Sequence, residues 1–93
     1  MSLVFHIPGY LREFTRGESR VALEAPAATV GQALAALWAV HPGVRDRVVD
    51  EQGRVRQHVN VFVGDEAIRF TGGLDTPVPA VAEIHIVPAV SGG

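Results

Sequence analysis

The chain has 93 residues, 47% of them hydrophobic, with ten acidic and eight basic side chains and a formal net charge of −2. That length holds one domain with one core, and the near-neutral charge gives no basic footprint for nucleic acid. The absence of Cys removes disulfides, Cys-type zinc sites and thiol nucleophiles. No apolar stretch reaches the length of a membrane span and no signal peptide is visible, so a soluble, monomeric, cytoplasmic domain is expected.

Ser2 to Pro8 reads as a strand, with Leu3, Phe5 and Ile7 on one face and Val4 and His6 on the other. Pro8-Gly9 breaks it, and Tyr10 to Gly17 reads as a loop anchored by Leu11 and Phe14. Glu18 to Ala25 alternates again, with Val21 and Leu23 inward, as the second arm of a hairpin. The main helix follows. Thr29 is its N-cap, and Val30, Ala33, Leu34 and Leu37 recur at helical spacing until His41-Pro42-Gly43. A shorter helical segment spans Val44 to Val49, and a polar turn centres on Gly53.

Val59, Val61 and Val63 mark a third strand, with His58, Asn60 and Phe62 facing the other way. Gly64-Asp65-Glu66 is a turn and Ala67 to Phe70 a short strand. Glycines and prolines from Gly72 to Pro79 postpone regular structure until a last strand, Glu83 to Val87, with Ile84 and Ile86 inward. The β-β-α-β-β order is an α+β solution: a mixed sheet of four to five strands packed on one main helix, with the first and last strands parallel at its centre. This is the β-grasp, or ubiquitin-like, arrangement. It covers residues 1–88, and 89–93 are expected to form a flexible tail.

Catalytic chemistry has little to stand on. Ser2, Ser19 and Ser91 sit in no nucleophile elbow, and no Gly-rich phosphate loop precedes a helix. His6 and His85 share the outer face if the first and last strands are neighbours, and His58 is expected nearby. Without Cys or an evident carboxylate partner, the histidines read as residues of a half-exposed sheet, and no metal site is assigned. Phe62, with Val4, His85 and Val87, forms an apolar strip on the face that no helix covers. Such a strip marks a partner surface, and Phe62, Asn60, His58, His85 and Val87 are the candidate interface. After Pro88 the chain reads Ala-Val-Ser-Gly-Gly. Five extended residues reach about 16 Å, and glycines without Cβ atoms fit a narrow channel and leave the last carbonyl open to attack.

The chain resembles the ubiquitin-like sulfur carriers of the MoaD/ThiS superfamily, most closely the CysO-type carriers of cysteine biosynthesis. The residues that carry the resemblance are Ile7-Pro8 with Leu11-Arg12, the run from His58 to Val63, the run from Ile68 to Leu74, and the ending from Ile86 to Gly93. Ser91 stands where a small apolar residue is more usual, and 77–83 replaces an acidic-glycine turn. The resemblance implies a protein co-substrate without catalytic residues or bound cofactor, whose Gly93 carries sulfur, with Gly92, Ser91 and Val90 as the tail motif. Its implied partners are an E1-like adenylating enzyme that uses ATP, a pyridoxal-phosphate-dependent cysteine synthase and a zinc (JAMM-type) peptidase. The alternatives are a molybdopterin synthase small subunit and a protein modifier or interaction module without sulfur chemistry. With no Cys, a side-chain persulfide is unavailable, and with no Lys, one copy offers another no side-chain amine.

Overall fold

A computed structural model of the protein describes residues 2–88; the expected tail, 89–93, lies outside the described residues. The first hairpin pairs β1 (Ser2–His6) with β2 (Arg20–Glu24), Phe5 lying opposite Val21. Between the strands, Gly9–Thr15 is a 3-10 helix and not the expected loop. At three residues per turn Leu11 and Phe14 fall on one side, Leu11 buried and Phe14 leaning on the core, while Thr15 at the end is buried with its hydroxyl donating to the Glu18 carbonyl. It stops where Arg16 and Gly17 take positive φ values of 57° and 82°.

Helix α1 (Val30–Val40) begins at Thr29, whose Oγ1 accepts from the Gln32 N–H at 3.3 Å. Its apolar stripe, Val30, Ala33, Leu34 and Leu37, is fully buried. Helix α2 (Pro42–Val48) starts at once, Pro42 serving as a first-turn residue. It lies so close to the preceding 3-10 helix that a Cβ on Gly43 would come within 3.2 Å of Phe14. The polar turn that follows is closed by Asp50, whose Oδ1 accepts from the N–H groups of Gln52 and Arg54.

The remaining strands are β3 (Val59–Val63), β4 (Glu66–Ala67) and β5 (Val81–Pro88), in the sheet order β2-β1-β5-β3-β4. Only β1 and β5 are parallel. Several elements differ from the expected ones: α2 starts at Pro42 and ends at Val48 instead of spanning Val44 to Val49, Gly73–Asp75 forms a 3-10 turn where no regular structure is expected, and β4 and β5 have other bounds. β4 stops at Ala67 and Ile68–Phe70 turns as a 3-10 helix. A strand would put Ile68 and Phe70 on one face, whereas the tight turn buries Ile68 and leaves Phe70 84% exposed. β5 begins at Val81, two residues early, because β1 already pairs there: Val81 lies opposite Ser2 and Ala82 opposite Leu3. Prolines 77 and 79 lie before the ladder begins at Val81 and so cost it no hydrogen bond.

One layer of helices thus covers one face of the sheet. Leu3, Phe5, Val21, Val59, Val61, Ala82, Ile84 and Ile86 point into the core against α1 and Val44 and Val48 of α2. Among the described residues no element covers the other face, and Phe62, Asn60, His85 and Val87 of the candidate interface lie on it.

Candidate functional site

The register fixes the outer face in rows. One row runs Arg20, His6, His85, Phe62, Ala67 across all five strands. Towards the end of β5, Val87 pairs with Asn60; in the other direction, Glu83 lies opposite Val4. Each of these residues alternates with a buried neighbour, which is why an apolar inner pattern delivers them together on the outside. Phe62, His85 and Val87 are half-buried and contiguous, as an apolar strip requires. Asn60 joins them and is held by Arg69, whose guanidinium donates to its Oδ1.

β5 is the axis of this face. It is central, with β1 on one side and β3 on the other, and its inward Ile84 and Ile86 are fully buried. Its last described residue, Pro88, lies opposite Val59. The segment that leads to Gly93 is therefore rooted in the most firmly paired strand of the sheet, beside the turn 56–58 at the start of β3. Val90, Ser91, Gly92 and Gly93, the expected tail motif and sulfur-carrying residue, lie outside the described residues.

His58 departs from its expected place. It sits in the turn before β3, is exposed, and shares a groove with Tyr10, Glu13, Phe14 and Arg47, away from the other histidines. The period-two pattern was extended one residue beyond the point where β3 begins, and a turn residue does not obey that alternation. The Arg47 guanidinium covers the Phe14 ring of this groove at 4.7 Å from the centroid.

The expectation that the histidines lack a carboxylate partner is also corrected. His6 and His85 stack face to face, ring centroids 4.1 Å apart and planes within 5°. Glu83, two residues before His85 and on the same face, sets Oε1 at 2.7 Å from His6 Nε2. The His6 hydrogen bond, aided by the nearby charges of His6, His85 and Arg20, holds the Glu83 carboxyl below the usual carboxylate range. Glu83 is 77 positions from His6 in the chain, so only the β1–β5 register reveals the pairing. His41 is separate. It is buried at the α1–α2 junction, its Nε2 3.9 Å from Glu18 Oε2.

Two further features had no sequence signal of their own. β4 pairs with Phe62 and Val63, and among the described residues no strand lies on that edge of the first half of β3. Beside it opens a groove of about 550 Å³, lined by Val55, Val59, Val61, Ile68 and Leu74 and rimmed by arginines 54, 56 and 69. Phe70 projects beyond it as the most exposed large apolar residue among those described.

Among the described residues, no helix is long and apolar enough to cross a membrane. Comparison with known proteins matches residues 5–93 to the ThiS family. Over 95 aligned positions that take in the whole of both chains, the protein is 36% identical to the sulfur carrier protein CysO of Mycobacterium tuberculosis. It is 39% identical over 66 residues, 71% of each chain, to small archaeal modifier protein 1 of Haloferax volcanii. Among solved structures, the CysO complex with BexX from Amycolatopsis orientalis matches with TM-score 0.84 and 37% identity, covering 98% of this chain and 99% of that one. The Haloferax volcanii modifier matches with TM-score 0.81 and 33% identity over the full length of both chains.

Proposed function

The chain belongs to the ThiS family, and on that footing we propose that it carries sulfur as a thiocarboxylate on Gly93 for the synthesis of cysteine or a related sulfur metabolite. Its relatives are carriers and modifiers rather than enzymes, and the chemistry is supplied by partners. A carboxylate is a poor electrophile. An E1-like enzyme would attach the Gly93 carboxylate to the α-phosphate of ATP with loss of pyrophosphate. A sulfur nucleophile at the oxidation level of sulfide then attacks the acyl carbon, and AMP leaves. The product sulfur is anionic and a strong nucleophile at neutral pH, for the same reason that a thiolate surpasses a thiol. In the cytoplasm, a pyridoxal-phosphate-dependent synthase would take it up, and a zinc peptidase would release cysteine from the adduct.

The observation that carries this reading is the full-length match to CysO, joined to the Gly92-Gly93 ending of a chain with no Cys. The outer face supports it physically. A rigid central strand positions the root of the tail, and the strip of Phe62, His85, Val87 and Asn60 beside it offers a docking surface to the activating enzyme. Incubation of the full chain with an E1-like enzyme, ATP and sulfide should add the mass of one oxygen-to-sulfur exchange, localised to the last peptide. Persistence of an unmodified mass, with turnover of ATP by the enzyme, would contradict the thiocarboxylate.

The similarity to small archaeal modifier protein 1 favours a second reading, in which activated Gly93 is passed to an amine of another protein. The same incubation separates the two when a cell extract replaces sulfide. A modifier yields a ladder of covalent conjugates that thiol does not cleave, and a carrier yields none.

A further inference from the structure

From the geometry of the outer face we infer that His6, Glu83 and His85 form a binding site for a divalent transition metal of the zinc class. Two imidazoles and one carboxylate are the donor set that borderline metals take, and they leave a further coordination position open. The three ligand atoms lie within 4.8 Å of one another among residues that are half-exposed or exposed, so an ion needs no entry path.

Backbone pairing pre-arranges the site. β1 and β5 are adjacent parallel strands, and His6 and His85 are directly opposite in their register. Their rings therefore share one face, stacked with planes within 5°, and an ion is held once the two rings tilt out of the stack so that their in-plane lone pairs converge. Glu83 reaches the same point from two residue pairs away on the same face, opposite Val4. Tetrahedral ligands at about 2.1 Å from zinc are about 3.4 Å apart. The present ligand-atom separations, from 2.7 Å for His6 Nε2 and Glu83 Oε1 up to the 4.8 Å bound of the cluster, bracket that distance, so closure on an ion calls for side-chain rotation. Strand-borne ligands of this kind are better fixed than loop-borne ones.

Charge sets the strength. Glu83 contributes one carboxylate to the donor set. Arg20, opposite His6 on β2, faces the cluster with a positive charge and weakens a cation's hold. Binding is therefore expected to be modest. Phe62, directly across from His85, lies beside the bound ion and reports its arrival.

The test is titration of the full chain with zinc chloride, followed by calorimetry and by the ring resonances of the four histidines. The expected result is one equivalent bound at neutral pH, with His6 and His85 signals moved and His41 and His58 signals unmoved. His85→Ala and His6→Ala should each weaken binding about tenfold or more, with Glu83→Gln weaker by a smaller factor, whereas His58→Ala binds as the wild type does. Metal-free melting of each variant checks its fold, since all three ligands lie on the exposed face. Absence of heat and of ring shifts would overturn the site, as would binding that survives His6→Ala and His85→Ala unchanged or disappears in His58→Ala. Neither outcome touches the reading of Gly93, which the mass measurement decides.

Discussion

The inner and outer faces of the sheet are built from the same five strands, yet they follow opposite rules. Inside, alternate residues of each long strand are apolar and sealed against α1 and α2; Leu3, Phe5, Ile84 and Val61 are almost wholly removed from water. Outside, the partners of those residues are two stacked histidines, a glutamate, an asparagine, an arginine and a half-buried phenylalanine. The inner face determines whether the domain exists. The outer face can change without unfolding it, and so it is free to carry recognition. Because period two ties each outer residue to an inner neighbour, the core that fixes β5 also fixes what β5 presents.

The sharpest way to break this contrast is on the inside. Phe5→Ala should destabilise the domain by about 3–5 kcal/mol, the usual range for a buried phenylalanine, read as a lower denaturant midpoint at unchanged slope. Phe62→Ala, a change of the same chemical size on the opposite face, should leave the melting curve close to wild type. Its effect should instead fall on the activating enzyme, with turnover lowered about tenfold at sub-saturating carrier, as for a typical interface anchor. Unfolding by Phe62→Ala would show that the two faces of β3 are not as distinct as their burial suggests.

Smaller effects sharpen the comparison. Thr29→Ala removes the hydroxyl that accepts the Gln32 N–H and should cost about 1 kcal/mol by chemical denaturation. On the outer face, the Glu83 carboxyl is held below its ordinary value by His6. A carboxyl with a lowered folded-state pKa stabilises the fold at pH above its unfolded value and loses that contribution as pH falls through the folded one. Wild type should therefore exceed Glu83→Gln in melting temperature near neutrality by a small margin, and the two should converge in strong acid. A gap that persists at low pH would assign the effect to packing and not to charge.

Much of this was legible in the sequence. The Leu3/Phe5 and Val59/Val61 alternations and the Val30 to Leu37 spacing specify strands, helix and core side, and Thr29 announces its helix. The short 3-10 helices were not legible. A three-residue turn is too short to show periodicity, Gly9–Thr15 opens on a Pro-Gly break that reads as a loop, and Ile68–Phe70 bears apolar residues at the spacing of a strand. The His6–Glu83 contact was hidden for a different reason. It depends on which residue of β5 stands beside which residue of β1, and a contact between residues 77 positions apart leaves no local trace. His58 shows the converse error, a pattern carried past the end of its strand into a turn.

The central claim rests on one atom group at the end of the chain. The most direct measurement is the intact mass of the full chain and of a chain lacking Gly93, each incubated with the activating enzyme, ATP and sulfide. The account predicts one oxygen-to-sulfur exchange on the full chain and none on the shortened one. Equal sulfur incorporation by both chains would contradict it.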